Sequence, residues 1–164
     1  MIESSLTLNS EQAENMMPTL FLVCGLPGSG KTTFAKRLER EQQALRLAPD
    51  EWMARIVGGG YDEAKRAAVE LVQWEIAQRA LSLGMNVILE SGFWSRRERD
   101  DFRTRAVALG ADAKLYYLDV PLDELKRRLR LRNAALPLDS FHVDASQLDL
   151  WASQFEPPTE DELQ

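Results

Sequence analysis

Leu20-Phe21-Leu22-Val23-Cys24-Gly25-Leu26-Pro27-Gly28-Ser29-Gly30-Lys31-Thr32-Thr33 is the stretch that decides the fold. Its first five residues are apolar without a break, which marks a strand covered on both faces, as in a parallel sheet. Gly25 to Thr32 then fit the pattern G-x-x-x-x-G-K-[ST]. Phe34, Ala35 and Leu38 carry helical spacing through Gln42, so the Gly-rich turn joins a buried strand to a helix. In that setting Gly25, Gly28 and Gly30 let the backbone aim successive N–H groups inward. Those groups, Ser29 among them, and the N-terminus of the helix make a cradle for phosphate oxygens. Lys31 adds a mobile cation for β- and γ-phosphates, and Thr32 adds a hydroxyl ligand for Mg²⁺. The alternative reading is an ordinary Gly-rich turn with a surface lysine.

Outward from this point the pattern alternates. Leu45-Arg46-Leu47-Ala48 reads as a second strand ending at Pro49-Asp50, with a short helix over 51–56. Gly58-Gly59-Gly60 is a break. Residues 62–83 predict a long helix, apolar almost all round and therefore substantially buried or in contact with two layers, closed by Gly84. Asn86 to Glu90 is a third strand, and Ser95 with Glu98 a capping box opening a helix to about Leu109. Lys114 to Leu118 is a fourth strand, followed by a helix over Leu122 to Asn133. Residues 134–143 are a loop with Pro137. Asp144 and Gln147 resemble another capping box before a last helix to about Phe155, after which no fifth strand is visible. This alternation predicts an α/β fold of parallel strands joined by right-handed crossovers.

Composition narrows the class. A chain of 164 residues suits one domain. Hydrophobic residues at 45% and charged residues at 28% argue against wholesale disorder, and no apolar run approaches a membrane span. One cysteine, Cys24, and one histidine, His142, exclude an intramolecular disulfide and a Cys- or His-rich metal site. A reduced, cytoplasmic location follows as the expectation. The net charge of −6 is localised: residues 1–17 carry −3 and residues 156–164 carry −4, leaving +1 for 18–155. Residues 1–17 read as a flexible arm and 18–164 as a single domain. The near-neutral core excludes neither an anionic substrate nor, by itself, a nucleic acid, although no extended basic stripe is present.

The chain resembles the small P-loop kinases, in particular the AAA-type ATP-binding predicted-kinase family related to polynucleotide kinase, zeta toxins, chloramphenicol phosphotransferase and shikimate kinase. The resemblance rests on Gly25 to Thr33, Leu47-Ala48-Pro49-Asp50-Glu51-Trp52, Glu90-Ser91-Gly92-Phe93-Trp94-Ser95, Tyr117-Leu118-Asp119-Val120-Pro121, Arg128 to Asn133 and Phe155-Glu156-Pro157-Pro158. It implies a three-layer fold with sheet order 2-3-1-4, a lid (here about 134–143), and ATP and Mg²⁺ as donor and metal. It also implies transfer of the γ-phosphate to a hydroxyl of a small-molecule acceptor. The alternatives are a polynucleotide 5′-hydroxyl kinase and a nucleotide-binding switch without an acceptor.

The resemblance implies roles for individual residues. Asp50 would take the proton of the attacking hydroxyl; it could instead cap the helix that follows. Where several relatives carry Arg three residues on, this chain has Met53. Glu90 would hold Mg²⁺ through water, or be an exposed strand-end acid. Arg128 and Arg132, one helical turn apart, would reach adenine and phosphate. Phe93, Trp94, Arg96 and Arg97 follow the third strand at the crevice edge, where two aromatics beside two cations suit an acceptor. Otherwise the aromatics pack under the 95–109 helix and the arginines stay at the surface. Trp52, Trp74 and Cys24 read as core, and His142 as a loop residue.

Overall fold

A computed structural model describes residues 17–138 and 140–163; of the expected arm, residues 1–17, all but Met17 lies outside the described residues. Four strands form one parallel sheet: β1 (Thr19–Cys24), β2 (Leu45–Leu47), β3 (Val87–Gly92) and β4 (Asp112–Tyr117), in the order β2-β3-β1-β4. The central strand β1 aligns Leu20 with Val87 of β3 and with Ala113 of β4. Its unbroken apolar run is explained by this position. Leu20, Leu22 and Cys24 enter one core with Trp74, Leu81, Leu89 and Phe93, while Phe21 and Val23 enter another with Ala35, Leu38 and Ile88. Successive strand residues point to opposite faces, and both faces are covered.

The helices are α1 (Lys31–Gln42), α2 (Pro49–Trp52), α3 (Glu63–Ser82), α4 (Arg96–Ala108), α5 (Leu122–Ala134) and α6 (Leu148–Gln154). A wider helical turn, Met53–Val57, continues α2. β2 stops one residue earlier than its apolar pattern, because Pro49 starts α2 and Ala48 becomes its N-cap. Ser95 caps α4 by accepting from the Glu98 N–H at 3.2 Å. Asp144 accepts from the Ser146 N–H and opens a single tight turn, 145–147, before α6.

Two expectations change. α3 is not buried all round: Gln73, Trp74, Ala77, Ala80 and Leu81 are buried, but Leu71 and Val72 are 59% and 44% exposed. A helix of 20 residues runs about 30 Å, and a six-residue strand about 20 Å. The first turns of α3 therefore overhang the sheet. The second concerns residues 156–164, set apart from the rest by their charge: as far as Glu162 they are tied to the domain. Glu156 N–H donates to the Trp94 carbonyl at 2.8 Å, and Glu162 is buried against Arg99 in an ion pair of 2.7 Å. Arg99, fully enclosed, also donates to the carbonyls of Phe93 and Glu156 at 3.0 and 2.9 Å. The C-terminal segment thus clamps the loop that follows β3, and the sheet of the described residues has four strands.

Candidate active site

A cleft of about 830 Å³ opens over the C-terminal ends of the strands, the place where ligands bind open parallel sheets. One wall is the glycine-rich turn, where Pro27, Gly28, Gly30 and Lys31 line the cleft while Gly25 and Ser29 lie behind it. Gly25 has φ +152°, and a Cβ there would lie 2.7 Å from Ser29 Oγ and 3.1 Å from the Leu118 carbonyl, so no larger residue fits. Gly28 has φ +84° and lies under α5, where a Cβ would meet Leu129 at 3.2 Å. Gly30 caps α1 in a left-handed conformation, turning the free N–H groups of that helix toward the cleft. Lys31 Nζ donates to the carbonyls of Gly25 and Leu26 at 2.9 and 3.0 Å. Burial pulls the Lys31 ammonium below its usual range, while Asp50 and Glu90 oppose the shift. Thr32 and Thr33 line the same wall.

Glu90, expected at the end of the third strand, lies two residues inside β3 and is buried rather than an exposed acid. Its carboxylate accepts from the Thr32 hydroxyl and, at 3.0 Å, from Arg46 Nη1. Burial raises the Glu90 carboxyl above its usual range, and Thr32 and Arg46 hold the rise in check. Arg46 also donates to both oxygens of Glu51, at 2.7 and 2.9 Å. Above the cradle, Arg128 donates to Glu124 at 2.7 Å and approaches the Ser29 carbonyl at 3.5 Å. Arg132 Nε is buried with no partner, and burial pulls the guanidinium below its usual range. A desolvated cation facing a ring of backbone N–H groups fits phosphate. Among the described residues no three His, Cys, Asp or Glu cluster as a metal site. A cation held by Thr32 and, through water, Glu90 would need phosphate oxygens to complete its shell.

At the far end of the cleft, Asp50 pairs with Arg66 of α3. It does not cap α2: Ala48 does, and the Asp50 side chain makes no capping bond. Met53 is fully buried, so the cation beside Asp50 comes from another helix. Trp94 lines the cleft but Phe93 does not. Phe93 has φ +50° and is fully buried against Phe102, ring centroids 5.3 Å apart. The left-handed turn at 92–93 drops Phe93 into the core and swings Trp94 back to the surface. Arg96 and Arg97 are also outside the cleft. Arg96 binds Asp161 at 2.6 Å and Thr159 at 3.1 Å, and Arg97 is exposed. Trp74 is core and Trp52 packs against it. His142 is exposed, its carbonyl accepting from the Tyr61 hydroxyl at 2.7 Å.

The site contains residues that sequence reading passed over. Glu63, Arg66 and Glu70 line the cleft from the overhanging turns of α3. With Gln73 they recur at intervals of three, four and three, a polar stripe along one face of the helix. That stripe was the available signal. Glu98, read only as a cap, also lines the cleft, and so do Tyr61 and Phe141, whose rings meet edge to face at 5.5 Å.

A family model described as an AAA domain matches residues 20–158. The chain belongs to this AAA domain family. Among curated proteins none matches it. The fold is shared with solved structures of low identity. A chain of the Pnkp1/Rnl/Hen1 RNA repair complex is 22% identical with a TM-score of 0.73, over 88% of this chain and 46% of that one. This chain thus spans about half of that relative. A gluconokinase from Sinorhizobium meliloti is 16% identical with a TM-score of 0.61, covering 90% and 80% of the two chains. Kti12 from Chaetomium thermophilum, in complex with ADP-AlF3, is 20% identical with a TM-score of 0.63, covering 85% and 81%. This AAA domain therefore has the P-loop kinase-like fold, with sheet order 2-3-1-4. Among its described residues no helix is long and apolar enough to cross a membrane.

Proposed function

We propose that the chain is a phosphotransferase that uses ATP and Mg²⁺ to phosphorylate a hydroxyl of a small molecule. One observation carries the reading: a single cleft joins the phosphate cradle and Lys31 to the carboxylate of Asp50, with Trp94 between the walls. Gly25 to Thr33 would hold the phosphates, with Arg128 and Arg132 closing over them from α5. Thr32 and Glu90 would hold Mg²⁺, which supplies charge neutralisation on the phosphates. Asp50 would orient the acceptor hydroxyl and take its proton as the new O–P bond forms and the bond to the ADP oxygen breaks. Lys31, Arg128 and Arg132 would offset the charge gathering on the transferred group. The loop between α5 and the 145–147 turn would act as the lid, Phe141 resting on Gly60 and Tyr61. The buried, single Cys24 fits a reduced, cytoplasmic setting.

The likeness to an RNA repair complex raises a polynucleotide 5′-hydroxyl as acceptor. Asp50, Glu51, Glu63, Glu70 and Glu98 line the cleft beyond the cradle, an unfavourable wall for a polyanion. The test is ADP release with magnesium-ATP against a panel of sugars, amino alcohols, nucleosides and 5′-hydroxyl oligonucleotides. ADP that rises only with a small hydroxyl compound supports the proposal. Release driven only by oligonucleotides, or independent of every acceptor while ATP binds, overturns it.

A further inference from the structure

The polar stripe of α3 leads to a second hollow, about 60 Å³, beside the acceptor end of the cleft. Glu70, Ser91 and Glu98 line both spaces. Gln73 lines the hollow, with Trp74 and Phe102 as apolar walls. Gln73 is 2% exposed, and its Nε2 has no partner. A buried amide donor left unmet is costly, and native structures keep few of them. Two carboxylates look into the same small space. Burial pushes the Glu98 carboxyl up, the Trp94 N–H pulls it back, and Glu70 adds to the rise. Among the described residues no lysine or arginine lines the hollow. Arg66 touches Glu70 only at 3.4 Å while pairing with Asp50. Two more cations are near: Arg99 directs its donors to Glu162 and to the carbonyls of Phe93 and Glu156, and Arg105 lies over the Trp74 and Phe102 rings at 5.5 and 5.2 Å while pairing with Asp101 at 2.6 Å.

We infer that this hollow anchors a protonated amine of the phosphate acceptor, so that the substrate class is a small amino alcohol. The inference rests on the phosphotransferase reading and names its substrate. An ammonium carries three donors and no acceptor. Glu70, Glu98 and the Ser91 oxygen offer it three acceptors. The unmet Gln73 Nε2 is a donor, so it requires an acceptor atom such as a hydroxyl oxygen next to the amine. The space is about twice the volume of a water, which suits an aminomethyl group and no ring. The rest of the substrate would lie in the main cleft against Trp94. Arg66, which pairs with Asp50 and reaches Glu70 at 3.4 Å, stands between the amine anchor and the carboxylate that receives the hydroxyl. A phosphorylated or carboxylated acceptor would meet like charge here.

The test is a titration of the full chain with 2-aminoethanol and with 1,2-ethanediol, its near-isosteric neutral counterpart. Amide and indole resonances in two-dimensional NMR report on Gln73 and Trp94. 2-Aminoethanol should give saturable shifts at the Gln73 side-chain amide, and 1,2-ethanediol none. Glu98→Gln keeps the oxygen that accepts the Trp94 N–H, so it should fold. Glu98→Gln and Glu70→Gln should each weaken 2-aminoethanol at least about tenfold, the loss of one charged hydrogen bond. Asp112→Asn, at the opposite end of the sheet, should leave the affinity unchanged. Equal shifts with both ligands, no saturation with 2-aminoethanol, or undiminished affinity in both Gln variants would overturn the inference. Magnesium-ATP binding to the wild-type chain is measured separately. Its absence would end the phosphotransferase reading whichever way the amine result falls.

Discussion

Replacing Asp50 by Asn separates chemistry from structure at the acceptor end. The Asp50 side chain is 60% exposed and that of Arg66 30%, so their ion pair is screened and contributes about 1 kcal/mol at most. No helix cap is lost, since Ala48 occupies that position. The melting temperature of Asp50→Asn should therefore stay within about 4 °C of wild type. Magnesium-ATP should bind with unchanged affinity, because the cradle from Gly25 to Thr32 is untouched. Turnover with an acceptor found by the ADP screen should fall roughly 10²–10⁴-fold, about 3–5 kcal/mol of barrier. Arg66→Ala is the companion variant: it frees the Asp50 carboxylate without removing it, and should retain more activity than Asp50→Asn. The measurements are a thermal melt, a calorimetric ATP titration and a steady-state rate for each variant. Full activity in Asp50→Asn would refute the general-base assignment. A large loss of ATP affinity would show instead that Asp50 serves the donor end.

Lys31→Ala should weaken ATP about ten- to hundredfold with little change in melting, since it removes a charged donor from the cradle; calorimetry reads this directly. Gly25→Ala should abolish ATP binding and lower stability by about 1–3 kcal/mol, because its Cβ would lie 2.7 Å from Ser29 Oγ in a left-handed backbone. Glu162→Gln should cost about 3–5 kcal/mol by leaving Arg99 buried and unpaired, seen as a melting drop of roughly 10 °C. Arg99 holds the Glu162 carboxyl at about 2, against an ordinary value of 4.5. The folded value lies below the unfolded one, so this pair's contribution is complete above about pH 4.5 and declines as pH falls toward 2. Acid melts of wild type should steepen in that window, and those of Glu162→Gln should not. Gly60→Ala would place a Cβ 2.1 Å from the Phe141 ring, so hydrogen exchange at 140–143 should speed up while exchange in β1 stays unchanged.

The sequence by itself determined the parallel α/β sheet, the crossovers and the glycine-rich turn between β1 and α1. These depend on local regularities: the unbroken Leu20–Cys24 run, the glycine spacing from Gly25 to Gly30, and the helical periods that follow. A P-loop is contiguous, so its chemistry can be read in one pass along the chain. The acceptor end is not contiguous. Arg66 meets Asp50 only because α3 overruns the sheet it covers. Phe93 and Trp94, neighbours in sequence, part ways where the backbone turns left-handed between β3 and α4: Phe93 is enclosed in the core and Trp94 reaches the cleft. Arg96, expected at the acceptor crevice, and Glu162, to which no role was assigned, belong to the contacts that hold the C-terminal segment against that turn. Burial, and which charge neutralises which, depend on contacts between residues tens of positions apart. Tertiary packing alone decided them, because charge and hydropathy along a chain are local quantities and desolvation is not.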